Sequence, residues 1–533
     1  MRKLNFPTYI IITLLILAGC AKRGSITGGD KDVTPPKIVS GNPKNFSTNF
    51  NQNTIRITFD EYVKIKDLQK NLIVSPPMKN QITVLPQGTA SKQITIKIND
   101  TLKANTTYSF NFGESIRDNN EDNVLSQFKY VFSTGAELDS LIVEGIIKDS
   151  YEREADSYVN VMLYEVDANY NDSIIYKQTP RYSTNTLDSL KTFKIENVKA
   201  GKYKLIALKE KTVNYKFDPN SDKIGFYNQT ITVPDNAIFE LELFKEVPKF
   251  KTKKPTQSSL NRIVFGYEGD PKNTKVSAIY KNQDFKVITT KMANKDSLQV
   301  WFSPTKNDSI QLKISKDDYT KDFTVKMRGS KQDTLHLSSQ NRGNIGFNDL
   351  FKINSSTPLT KFDIGKMKLV KKDSSAVKFT TNYDEFNQNL EVLFDKEPNE
   401  SYNFTMVPNA IEDYLGQIND SIKINLTTKS YADYGNLRLN LKNAKSFPLV
   451  IELTDKKGTV LVTKYVENNP VVEFLLVEPQ RYSLRIIYDE NKNGQRDTGN
   501  YLENRQAEEV YHYPAEIDIR ANWDVNQDID LGK

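Results

Sequence analysis

Cysteine is almost absent from this 533-residue chain, and Cys20 is the only one. No disulfide can form within the chain beyond it, so each folded part must be stable through its own core. Histidine is nearly as scarce. His336 and His512 lie in strand-like segments, Leu335-His336-Leu337 and Tyr511-His512-Tyr513, so no histidine pair stands at metal-ligand spacing. No glycine-rich phosphate loop follows a strand, and no thiol is placed as a nucleophile. No apolar run reaches the ~20 residues that cross a bilayer as a helix. The densest basic stretch, Lys249-Phe250-Lys251-Thr252-Lys253-Lys254, reads as a solvated linker, which leaves no nucleic-acid partner. Acids are plentiful, so a hydrolase built of carboxylates alone stays open on composition.

What is present begins with Arg2 and Lys3, an apolar run from Tyr9 to Leu17, and then Leu17-Ala18-Gly19-Cys20. Charged start, short greasy middle and small-residue end are the parts of a secretory signal. The last four residues resemble the bacterial lipobox. That resemblance implies cleavage after residue 19, acylation of Cys20 and attachment to a membrane, where several acyl chains hold far better than one. Removing Arg2 and Lys3 with no acid lowers the net charge from +6 to +4. Residues 1–19 are thus expected to be a lipoprotein signal peptide, and 20–35, small and polar, a lipidated flexible tether. Ala21 does not resemble an inner-membrane retention signal, which points to the outer membrane. Lys22 and Arg23 stand where surface-exported lipoproteins often carry acids, so the periplasmic and cell-surface faces both remain open.

Tyr and Phe, 27 of each, and abundant Thr, Ile and Val favour strands, and long Ala/Leu/Glu runs are missing. Ile55, Ile57 and Phe59 alternate with polar residues; so do Ile94, Ile96 and Ile98, then Tyr108, Phe110 and Phe112, then Phe128, Tyr130 and Phe132. Period two with Gly, Asn and Asp between runs is the pattern of an antiparallel sandwich. Ile55-Arg56-Ile57-Thr58-Phe59-Asp60-Glu61, Asn105-Thr106-Thr107-Tyr108-Ser109-Phe110, Ile116-Arg117-Asp118 and Phe132-Ser133-Thr134 resemble, in order, a bacterial Ig-like domain of the S-layer type over 36–136. Asn399 to Phe404, Ile411-Glu412-Asp413 and Leu426-Thr427-Thr428 repeat that order and imply another over 344–430. Gly145 to Asp149, Val159 to Leu163, Phe193-Lys194-Ile195 and Ala200-Gly201-Lys202-Tyr203 resemble a carboxypeptidase-regulatory, transthyretin-like sandwich over 140–246. Leu437-Arg438-Leu439, Val450 to Leu453, Phe474 and Pro479 to Leu484 repeat a shortened version over 434–533. Residues 258–340 alternate similarly and add a further sandwich. The expected fold is all-β, a tandem series of Ig-like and transthyretin-like sandwiches.

The sharpest local motif is Asp489-Glu490-Asn491-Lys492-Asn493-Gly494-Gln495-Arg496-Asp497. Oxygen-bearing side chains at Asp489, Asn491, Asn493, Gln495 and Asp497, around a glycine, have the spacing that opens a calcium loop. Position 12 is Asn500 rather than a bidentate Glu, and Asn493-Gly494 is equally the signal of a metal-free hairpin turn. No cofactor is required, and a structural calcium ion in this loop is the one candidate. A second recurrence is Asp-(Ser/Thr)-aliphatic, at Thr101, Ser140, Ser173, Ser189, Ser297, Ser309, Thr334 and Ser421. It resembles the O-glycosylation acceptor of a large group of Gram-negative bacteria, and equally a turn that starts a strand. Trp301 and Trp523 are candidates for a glycan platform or for packing. The function expected from these features is a non-catalytic outer-membrane lipoprotein, held to the membrane by its lipid and serving as a scaffold or binding subunit with an envelope protein partner in outer-membrane protein assembly or transport. A carbohydrate-binding or adhesion lipoprotein and a carboxylate-only polysaccharide hydrolase are the alternatives.

Overall fold

The computed structural model describes residues 31–187, 191–305, 308–341 and 343–532. Its contacts divide the chain into two compact units. One reaches to Ser140 and includes Asn197–Lys199; the other holds Leu141–Glu196 and Ala200–Lys533.

The first unit is one sandwich. Ile38–Asn42, Thr54–Ile65, Ser91–Lys97 and Thr83–Leu85 form one sheet in that spatial order, and Ile73–Ser75, Thr107–Asn111 and Lys129–Ser133 form the other. The alternation read in the sequence is what closes it. Ile55, Ile57, Phe59, Ile94 and Ile96 from one sheet meet Tyr108, Phe110, Tyr130 and Phe132 from the other in a single buried core. At roughly 1.5–3 kcal/mol for each fully buried large side chain, these residues dominate its stability.

The second unit contains four more sandwiches, here called second to fifth, spanning 141–243, 251–326, 337–427 and 435–530. The second and fifth share an unusual topology. Ile238–Leu243 runs parallel to Leu141–Asp149, with Ile238 opposite Glu144, and Asp524–Asp530 runs parallel to Gly435–Lys442, with Asn436 opposite Asp524. Each therefore closes one sheet by returning its last strand alongside its first. Two boundaries differ from the pattern in the sequence. Phe250, within the basic stretch read as a linker, is buried in the third core, and Lys251–Thr252 pairs with Arg262–Glu268. Leu337–Ser339 pairs with Phe351–Ser355 of the fourth sandwich. A lone aromatic among lysines gives no period to read, yet its ring is what the core takes up.

The third and fourth sandwiches meet at Trp301, which is fully buried. Its Nε1 donates to Thr290 Oγ1 at 2.8 Å, and its ring faces that of Tyr414 at 6.0 Å. Gln299 Nε2 donates to Gln388 Oε1 across the same junction at 3.1 Å. The fourth and fifth are joined by Asn348 Nδ2 donating to the Leu475 carbonyl at 2.9 Å and by the ion pair Lys429–Glu478 at 3.1 Å. The second and fifth, far apart in sequence, also dock. Among the described residues no helix is long and apolar enough to cross a membrane.

Candidate functional site

Asp489 follows directly on the strand Gln480–Tyr488 and is buried. Its carboxylate accepts N–H bonds from Asn493 at 3.2 Å and Gly494 at 2.7 Å. Gly494 has φ +75, the left-handed backbone that glycine adopts without a steric penalty. Asn491 and Asn493 both turn their side-chain amides onto one Asp497 oxygen, at 2.5 and 2.6 Å. The side chain of Asn493 accepts from the Gln495 N–H at 2.8 Å. Glu508 ties the loop's two ends, accepting from Glu490 N–H and Asp497 N–H at 2.9 and 2.8 Å. Burial raises the pKa of Glu508, and these two donors oppose that rise. The five residues of the calcium-like motif are thus gathered in one loop, with the acids already taken up by protein N–H donors. Glu503, which could have added a late carboxylate, pairs with Arg505 at 3.3 Å. No group of three or more His, Cys, Asp or Glu side chains suited to a metal is found among the described residues. The corresponding loop of the second sandwich behaves alike, with buried Asp222 accepting from Lys211 N–H and Asp218 N–H, each at 3.0 Å.

What the loop does visibly is reach the second sandwich. Arg496 Nη2 donates to Ser150 Oγ at 2.7 Å, and Thr498 Oγ1 to the Lys245 carbonyl at 2.7 Å. A side chain on Gly499 would meet the Phe244 ring at 2.5 Å, so the close approach needs glycine there. Tyr501 then enters the second sandwich's own core beside Met162, Ile206 and Phe226, its ring edge-on to Phe226 at 5.2 Å. Its backbone N–H donates to Glu246 at 2.6 Å, and its hydroxyl lies 3.4 Å from that of Tyr170. Burial pushes the Tyr501 phenol far up and that of Tyr170 to about 12, so both stay neutral. Gln506 Nε2 completes the strap, donating to the Phe226 carbonyl at 2.9 Å.

The second sandwich returns an aromatic of its own. Two guanidinium groups lie over the Tyr151 ring, with Arg485 Cζ 3.6 Å and Arg496 Cζ 4.5 Å from its centroid. Such stacking is worth about 2 kcal/mol or more once desolvated. The Tyr151 hydroxyl donates to Glu452 Oε2 at 3.1 Å, and Arg485 Nε donates to the same oxygen at 2.7 Å. Arg485 Nη1 donates to the Tyr151 carbonyl at 3.1 Å. The Arg485 side chain is only 3% exposed and that of Glu452 10%. A pair this dry contributes little net over apolar packing, but losing one partner strands the other charge. Opposite Arg485 in the strand ladder stands His512, whose Nε2 is buried without a hydrogen-bond partner. Burial first, then the charges of Arg485 and Arg153, hold its pKa down at about 4.

Neither Tyr151, Arg485 nor Tyr501 carries a motif in sequence. The available signal was loss of alternation: Leu449–Thr454 is buried at every position, as is Asn160–Tyr164. Strands with both faces covered read as continuous runs, which announces that something packs on the second face.

The remaining sequence-derived residues fall as follows. Cys20 and Ser189 lie outside the described residues. Thr101, Ser140, Ser173, Thr334 and Ser421 are exposed, while Ser297 and Ser309 are half-buried at the first positions of strands. Asp100 and Asp308 each accept from the N–H of the hydroxyl residue that follows, the local bond of a turn. Burial of Trp301 in the junction removes it from any glycan platform. Trp523 is half-exposed, with Arg520 Cζ 5.0 Å from its ring. Asp60 lies inside the strand Thr54–Ile65, where its pairing with Ser91–Lys97 shifts register, and accepts from Lys37 N–H at 2.8 Å.

The first sandwich matches a family model, that of the bacterial Ig-like domain, over residues 32–134. This segment is a bacterial Ig-like domain. No curated protein matches the chain. Among solved structures, domains 1–6 of surface layer protein SbsC align with 91% of this chain and 67% of theirs, at 10% identity and a TM-score of 0.17. An I-band fragment of titin aligns with 45% of this chain and 94% of its own, at 10% identity and a TM-score of 0.13. Scores this low carry no argument about arrangement or activity.

Proposed function

We propose that the chain is a non-catalytic lipoprotein of the outer membrane that serves as a scaffold or binding subunit for a protein partner of the cell envelope. The lipid on Cys20 would fix one end, and the sandwiches would present a surface of defined geometry to that partner. The observation that carries this reading is the lock between the second and fifth sandwiches. Buried Arg485, stacked Tyr151 and inserted Tyr501 join parts of the chain more than 300 residues apart. A scaffold needs relative positions held, whereas sandwiches on free linkers would move independently. The Asp489 loop belongs to this lock, which supports a structural use of its carboxylates.

The test is affinity purification from detergent-solubilised membranes with the lipid intact. Co-purification of an outer-membrane barrel or its assembly partners in fixed stoichiometry is expected. Retention on immobilised glycans, or release of sugar from a polysaccharide, would overturn the reading in favour of an adhesin or a hydrolase.

A further inference from the structure

The first sandwich has one lateral edge built from a single continuous segment. Ile38–Asn42 is the edge strand of one sheet, and the chain then crosses to the edge of the other, where Ser47 bridges Phe132. Along this segment, and just before it, large apolar side chains face water: Val33 is 76% exposed, Val39 65%, Phe46 60% and Ile38 41%.

Phe46 is held out rather than left loose. Its φ of 63 is a left-handed backbone conformation that bulky residues avoid. Asn45 enforces it, donating Nδ2–H to the Lys129 carbonyl at 2.9 Å while its Oδ1 accepts from Val131 N–H at 2.7 Å. Phe46 N–H donates to the Val131 carbonyl at 2.7 Å, and the Tyr130 hydroxyl donates to the Pro43 carbonyl at 2.7 Å. A pinned, strained position that exposes an aromatic ring points to a use for that ring.

The edge is poorly shaped for a partner strand. Its register shifts between Ile38 and Ser40, and Pro35, Pro36 and Pro43 remove N–H donors on either side. Bulges and prolines are what protect sheet edges from strand addition. Residues 31–47 carry Lys31, Lys37 and Lys44 against the single acid Asp32. Exposed aliphatic and aromatic residues interleaved with lysines are the chemistry of a membrane interface, where rings and branched chains sit among acyl carbons and ammonium groups meet phosphates.

We propose that this edge docks on the phospholipid surface to which Cys20 is anchored, with Phe46 and Val39 as the inserted residues. The proposal rests on the lipoprotein reading. The chain from Cys20 to Ile38 can span no more than about 60 Å when fully extended. Among the described residues the edge is the first strand, and tethering of this kind turns weak surface contacts into occupied ones.

Once Cys20 is acylated the chain has no free thiol, so Phe46→Cys accepts a polarity-sensitive fluorophore at one site. The control is Val213→Cys, at a position 64% exposed in the other unit. The full acylated protein is reconstituted in vesicles of phosphatidylethanolamine and phosphatidylglycerol, with and without spin-labelled lipid. The expected result is a blue-shifted label at 46 that the spin-labelled lipid quenches several-fold, and a label at 213 that is neither shifted nor quenched. A water-like, unquenched label at 46 on protein that floats with the vesicles and carries acyl mass overturns the docking while leaving the lipoprotein reading intact. Protein that neither floats nor carries acyl mass overturns both. A shift at 46 that needs an added envelope protein, with no lipid quenching, assigns the edge to a protein partner and overturns the lipid.

Discussion

Two of the junctions within the second unit are made differently. Where the third and fourth sandwiches meet, sequence neighbours are joined by the Trp301 indole, the Tyr414 ring, and amide and hydroxyl bonds through Thr290, Gln299 and Gln388, with a half-buried Arg262–Asp333 pair whose guanidinium lies 4.8 Å from the Trp301 ring. Where the second and fifth meet, partners distant in sequence are joined by an exchange of aromatics around a dry Arg485–Glu452 pair. Neighbours on a short linker start with high effective concentration and need only modest, satisfied contacts. Distant partners must close a long loop, whose entropy cost grows slowly with length. The second junction meets that cost with a large buried aromatic and adds a charged pair that tolerates few alternative arrangements.

Variants can break this contrast, the most damaging first. Arg485→Ala strands the Glu452 carboxylate and opens the stack on Tyr151, so chemical denaturation should show a loss of about 3–5 kcal/mol. Tyr501→Ala leaves a cavity in the second sandwich's core, and about 3 kcal/mol should be lost from the same transition. Trp301→Phe keeps most of the apolar area but leaves Thr290 without its indole donor, for a loss of about 1–2 kcal/mol. If the tryptophan variant proves as damaging as Arg485→Ala, the two junctions do not differ in the way described.

Smaller effects sharpen the picture. His512 has a folded pKa of about 4 against an ordinary value of 6.5, so the folded state favours neutral imidazole. Its contribution is complete above the unfolded value and is lost as pH falls from about 6.5 towards 4. Thermal midpoints of His512→Gln should therefore depend less on pH than those of the parent across that window. Smallest of all is calcium. Because Asp489 and Asp497 already accept protein N–H and amide donors, an excess of chelator should leave the thermal midpoint where it was, and added calcium should not raise it.

Much of the fold was legible in the sequence, because each sandwich buries one face of each strand and alternation records that directly. Ile55-Arg56-Ile57-Thr58-Phe59 is the plainest case, with Ile55, Ile57 and Phe59 in the core. The recurrence of Ala200-Gly201-Lys202-Tyr203 as Pro479-Gln480-Arg481-Tyr482 tracked a topology that the second and fifth sandwiches share. The junctions were not legible. A charge such as Arg485, outward on its strand between Leu484 and Ile486, looks the same whether it meets water or Tyr151. The calcium-like spacing of Asp489 to Asp497 was real as a loop pattern, since the turn that aims oxygens at a cation equally aims them at backbone N–H groups. What differs is which donors the rest of the chain delivers, and local sequence does not encode that.

The most direct measurement is a double-mutant cycle across the second and fifth sandwiches, with Tyr151→Leu and Arg485→Met followed by equilibrium denaturation of the full chain. Docking of the two sandwiches predicts a coupling energy of about 1–3 kcal/mol between the substitutions. Effects that add within about 0.5 kcal/mol would mean that the two residues do not meet, and that the sandwiches are not locked together.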